Sequence, residues 1–217
     1  MNVDLNRLAK GLKMIIDRLT PKPVDNVIFE LDTDKTFCKF KGNALDINKV
    51  LCAFVEFDSF SKKLKQSMDI YWDIPEALCF CHDVLSGKIP MLASKEKQRC
   101  STTGEKYPKE VYSTPLGGVS EKKCQERNLR NDGKAISRLF TVSPGSKADY
   151  VITAIQRAGH TDEKKKKLIV PEGAPEVLIR VAFSERQLKA LALTIQSHIN
   201  AFYSARYANN GFARTNS

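Results

Sequence analysis

The stretch Val177 to Tyr203, VLIRVAFSERQLKALALTIQSHINAFY, reads as a strand that turns directly into a helix. Ile179, Val181 and Phe183 alternate with Arg180 and Ala182, which is the period of a half-buried strand. Ser184 and Gln187 then form a capping box ahead of the apolar stripe Leu188, Leu191, Ala192 and Ile195. The pattern recurs 111 residues earlier in MDIYWDIPEALCFCHDVL, residues 68–85, with Met68, Ile70 and Trp72 on the strand, Asp73-x-x-Glu76 at the cap, and Ala77, Phe80, Cys81 and Val84 on the helix. Strand, cap and helix face match in one register, at a spacing close to half of the 217 residues, as a duplication would give.

Working outward, VIFEL at 27–31, TFCKFK at 36–41 and VLCAFVEF at 50–57 complete an antiparallel meander before the first unit, and DLNRLAKGLKMIIDRL at 4–19 carries the stripe of an N-terminal helix stopped by Pro21. ISRLFTV at 136–142 and DYVITAIQ at 149–156, joined by Ser143-Pro144-Gly145-Ser146, supply strands for the second unit. Residues 88–135 read as a long basic loop in which only EVYST resembles a strand, residues 157–175 read as a second basic loop, and the tail after Tyr207 is expected to fray. The predicted class is α+β: two repeats of antiparallel β-sheet followed by a capped helix. They occupy 1–87 with the N-terminal helix and 136–217 with the tail, and the insertion 88–135 separates them.

Of the residues, 42% are hydrophobic and 28% charged, which excludes a mainly disordered chain. No run approaches the length of a membrane span, and the charged N-terminal stretch lacks the apolar core of a signal peptide, so a cytoplasmic protein with no membrane partner is expected. The net charge of +10 is unevenly placed: residues 1–87 carry −1, residues 88–135 carry +5 and residues 136–217 carry +6. Clustered Lys and Arg release counterions from phosphates, so this asymmetry points to a polyanion partner.

The signatures of P-loop nucleotide hydrolysis, dinucleotide binding, zincin proteolysis and serine hydrolysis are absent, and His82, His160 and His198 stand in no catalytic pattern. The expected function is therefore non-catalytic, with no cofactor. Cys38, Cys52 and Cys81 read as small core residues. Cys100 and Cys124 are spaced as two halves of a zinc ribbon, but Thr103 and Arg127 stand where each second ligand belongs. Completing four ligands would need Cys79 and His82, and no metal is expected.

Basic and aromatic residues interleave on the second-half strands, the composition with which single strands are held by base stacking and backbone contacts. The candidate nucleic-acid-binding residues are Arg138, Phe140, Tyr150, Arg157, Lys164, Lys165, Lys166, Lys167 and Arg180, with the arginines favoured because guanidinium both stacks and pairs with phosphate. Trp72 or tyrosine fluorescence is expected to be quenched on binding.

Several strands followed by a capped helix, repeated in one chain with a basic surplus, resemble the tandem repeats of Pur-type and Whirly-type single-strand-binding proteins. The resemblance covers the topology and no specific motif. It implies sheets backed by helices that present a curved surface to single-stranded DNA or RNA. The degenerate ribbon at Cys100 and Cys124 resembles what remains in some small subunits of CRISPR effector complexes. That implies the alternative: a subunit of a larger nucleoprotein, viral or mobile-element assembly, docked to other subunits.

Overall fold

The computed structural model of the chain describes residues 26–164 and 168–215, with side chains up to residue 208. The helix expected over residues 4–19 lies outside them. Among the described residues, two antiparallel sheets and four α-helices make an α+β fold. The first sheet has the order β1 (Val27–Asp32), β2 (Thr36–Lys41), β3 (Lys49–Phe57) and β4 (Leu64–Asp73). After β4 come helix α1 (Ile74–Leu85) and helix α2 (Lys88–Thr103). Short strands β5 (Tyr112–Ser113) and β6 (Gly117–Val119) and helix α3 (Glu121–Glu126) precede the long strands β7 (Ala135–Pro144), β8 (Tyr150–Thr161) and β9 (Ile169–Phe183), and helix α4 (Glu185–Thr215) ends the chain. β5, β7, β8 and β9 line up in the second sheet, with β6 also paired to β7.

Period-two patterning decides which side of each strand is buried. On β4, Met68, Ile70 and Trp72 face inward, and on β9 so do Ile179, Val181 and Phe183. Ala77, Phe80, Cys81 and Val84 of α1 and Leu188, Leu191, Ala192 and Ile195 of α4 are all buried against these faces. The inner faces of both sheets meet in one core. Phe140 of β7 lies 4.9 Å from Trp72, 6.1 Å from Phe54 and 6.1 Å from Tyr112 between ring centroids, and Phe29 stacks on Phe183 at 6.1 Å.

Polar side chains close the exposed edge of β9. Thr36 Oγ1 donates to the Arg180 carbonyl at 3.3 Å and Gln66 Nε2 donates to the Leu178 carbonyl at 2.8 Å, so the first sheet caps an edge that would otherwise offer unpaired backbone groups. On the opposite edge, β6 approaches β7 closely. Gly118 has φ +142°, and a Cβ there would sit 1.9 Å from the Ile136 carbonyl oxygen.

Four expectations are corrected. Residues 88–103 form a helix, because Pro90 falls in the first turn where no N–H is required, and only Ile89 and Ala93 are buried, too short a stripe for periodicity to signal. Most of residues 157–175 extend the β8–β9 hairpin, Pro171 being tolerated on an edge strand and residues 173–176 bulging out of register. The tail is helical to Thr215. Finally, the two caps differ. Ser184 and Gln187 exchange the capping-box hydrogen bonds at 3.2 and 2.8 Å, but Asp73 makes no side-chain capping bond and instead pairs with Lys49 at 2.5 Å.

Since Phe140 joins both sheets and α1, replacing it with Ala should destabilise the fold by about 3–5 kcal/mol, measured by urea denaturation. A cost near zero would show that the sheets do not share this core.

Candidate nucleic-acid interface

On β7 and β8 the odd-numbered positions oppose the core. Ser137, Leu139 and Thr141 of β7 lie beside Arg157, Ile155 and Thr153 of β8, and Leu178 and Arg180 of β9 complete the rows. One row runs across four strands as Ser113, Thr141, Thr153 and Arg180. Between Ser143 and the bulge this face carries two arginines, hydroxyls and aliphatic side chains, and no carboxylate, but its Ser137, Thr141, Thr153 and Ile155 are buried, at 2%, 3%, 9% and 9% exposure. Arg180 is exposed. Arg157 is half-buried, and its Nε is buried without a hydrogen-bond partner among the described residues.

The solvent face of the first sheet differs in charge. There Phe37 stacks on Phe57 at 5.7 Å and Lys39 sits 5.5 Å over the Phe37 ring, but Glu30 pairs with Lys39 at 2.9 Å and Asp73 with Lys49 at 2.5 Å, and Asp32 and Asp69 add further negative charge. Its basic and aromatic residues are thus largely neutralised within the sheet. Another cation is also committed: in the cleft beside Ile136 and Gln156, Arg130 binds Asp132 at 2.9 and 2.6 Å and Glu176 at 2.7 Å.

The structure separates the residues singled out in the sequence. Arg157 and Arg180 share the outer face of the second sheet. Phe140 and Tyr150 do not join them: they are 0% and 4% exposed, on the core side, because their even-numbered positions alternate with the outward row. Neither can stack on a base. Arg138 also lies off the face. Its Nε donates to Gln156 at 2.8 Å and its Nη1 to the Asp69 carbonyl at 3.2 Å, bracketing β7 to β4, and burial pushes its guanidinium pKa down. Lys164 is exposed at the tip of the β8–β9 hairpin, and Lys165, Lys166 and Lys167 lie outside the described residues. Sequence reasoning missed the exposed Ser113, which begins the row; Thr141 and Thr153 oppose the core by alternation with Phe140, Val142, Ile152 and Ala154 but are buried.

Cys38, Cys52, Cys81 and Cys124 are buried, whereas Cys79 is exposed and Cys100 half-buried. Burial raises the thiol pKa values of Cys38 and Cys81 to about 12 and pushes those of Cys52 and Cys124 upward, which suppresses the reactive thiolate. Cys124 Sγ donates to the Val119 carbonyl at 3.5 Å. No group of three or more His, Cys, Asp or Glu residues is placed to hold a metal among the described residues, nor is any described helix long and apolar enough to cross a membrane.

No family model matches the chain, and no curated protein matches it. Among solved structures, a trypanosome MRP1/MRP2 structure aligns over 94% of this chain and 96% of its own, at 14% identity and a TM-score of 0.34. A likeness of that size bears on neither fold nor function.

Trp72 is 2% exposed and packs against Phe80 and Phe140. It cannot report binding by direct contact, contrary to expectation. Its emission should be blue-shifted and weakly quenched by acrylamide, and unchanged by a saturating oligonucleotide. Strong acrylamide quenching would contradict this packing.

Proposed function

We propose that this protein binds single-stranded nucleic acid without catalysis of its own, along the outer face of the second sheet. The observation that supports the reading most directly is the absence of carboxylates from a face that holds Arg157 and Arg180. Each carboxylate on such a surface would repel a phosphate, whereas guanidinium offers a planar fork for phosphate and a flat surface for a base. Thr141 and Thr153 are buried, so the contacts fall to Arg157 and Arg180, with the exposed Ser113 at the β5 edge as a hydroxyl donor to phosphate oxygens. Arg157 and Arg180 stand on different rows, roughly 14 Å apart by strand geometry, so they would meet different nucleotides. The face holds no aromatic ring, so base stacking there falls to the arginines. We also read the two strand-and-helix units as repeats of one ancestral unit, each burying a matching stripe. The cytoplasm is the compartment in which we expect the protein to act.

Fluorescence anisotropy of a labelled single-stranded oligonucleotide tests the reading. Arg180→Ala and Arg157→Ala should each cost on the order of 1–3 kcal/mol and lower the slope of log K against log salt by about one contact. If wild-type protein bound no oligonucleotide at low salt, or both changes were silent, the reading would be wrong. A stable complex with an acidic protein would then favour the assembly-subunit alternative.

A further inference from the structure

Beyond α2 the chain turns at Gly104, φ +72°, and runs as GEKYPKEV before entering β5. This connection is fastened to the helix at two points. Arg99 donates to Glu96 through Nε at 2.9 Å and Nη2 at 2.7 Å, and to Glu105 through Nη1 at 2.6 Å and Nη2 at 2.9 Å. Glu96 Oε1 also accepts the backbone N–H of Lys109 at 2.5 Å. Hydrogen bonds from Arg99 hold the Glu96 carboxyl at about 2 and lower that of Glu105, so both stay ionised above mildly acidic pH.

The fastening has two consequences. It holds Tyr107 out in solvent at 74% exposure, with Lys106 Nζ 5.5 Å from its ring, between two pinned positions. It also uses Glu96 and Glu105 on one arginine, leaving Lys95, Lys97, Lys106 and Lys109, and the exposed Glu110, without an ion pair among the described residues. An exposed planar ring with a lysine ammonium beside it, on a connection that carries further lysines, fits a base and its phosphates better than an apolar peptide segment. The position agrees. Val111 N–H donates to the Val142 carbonyl at 2.8 Å, and two residues later Ser113 begins the row Ser113, Thr141, Thr153 and Arg180.

We propose that the loop 104–111 is a second contact for the same single strand, with Tyr107 as a base-stacking platform reached when the strand runs off the β5 edge, and with Arg99 as the positioning residue that presents it. The proposal rests on the sheet-face reading given above. A strand too short to pass the edge should not feel the loop.

The test measures binding of oligothymidylates of four and twelve nucleotides. Tyr107→Ala should weaken the twelve-mer about tenfold, within the range found for loss of one stacked base, and leave the four-mer unchanged. Tyr107→Phe should retain wild-type affinity for both, because the ring suffices. Arg99→Lys keeps the charge and Tyr107 but loses the fork, and should reproduce the twelve-mer defect alone. The loop proposal fails, and the sheet-face reading stands, if wild-type protein binds the twelve-mer and Tyr107→Ala binds it equally well, or if the defect is the same at both lengths. Both fail if wild-type protein binds neither oligonucleotide.

Discussion

Phe140 is the pivot of the molecule. Its ring meets Phe54, Trp72 and Tyr112 at once, so it lies where the inner faces of the two sheets meet, with Phe80 bringing in the first helix. Once that residue is committed to the core, strand alternation sends Leu139 and Thr141 outward, and pairing with β8 and β9 sends Thr153, Ile155 and Arg180 outward with them. A one-residue slip of β7 would exchange the two sets. The outer face is therefore as strongly specified as the core.

Around this centre, polar groups do work that apolar packing cannot. Thr36 and Gln66 occupy the carbonyls along the β9 edge, and Arg138 reaches from β7 to the backbone of β4, so the sheets are joined by directed bonds as well as by the shared core. Glu121 accepts both the N–H and hydroxyl of Thr161, tying α3 to the far arm of the β8–β9 hairpin. These pairings also allocate charge. Acidic residues are consumed by Arg99, Arg130, Lys134 and Lys49, which leaves the excess cations unevenly distributed over the surface rather than averaged away.

The strand-and-helix units were legible because alternation and capping act over a few residues: Met68, Ile70 and Trp72, and Ile179, Val181 and Phe183, are buried where the pattern puts them. Helix α2 was not, since its stability comes from Ile89 and Ala93 meeting a distant surface and from an arginine clamp that only the fold assembles. The far hairpin arm was hidden by prolines that an edge strand accepts. The candidate site was half legible. Arg157 and Arg180 are chemically conspicuous, but Phe140, Tyr150 and Arg138 were chosen by residue type when position parity already assigned them inward. Tyr107 is unremarkable until Arg99 is seen to hold its loop.

The central claim is that the second sheet, and not the aromatic and basic face of the first, receives the ligand. Backbone amide chemical shifts of isotopically labelled protein, followed while a single-stranded oligonucleotide is added, test it most directly. The account predicts the largest changes at Ser113, Arg157, Leu178 and Arg180, four residues of that face that are not buried. Changes concentrated at Phe37, Lys39 and Tyr71, with those four amides unmoved, would contradict it.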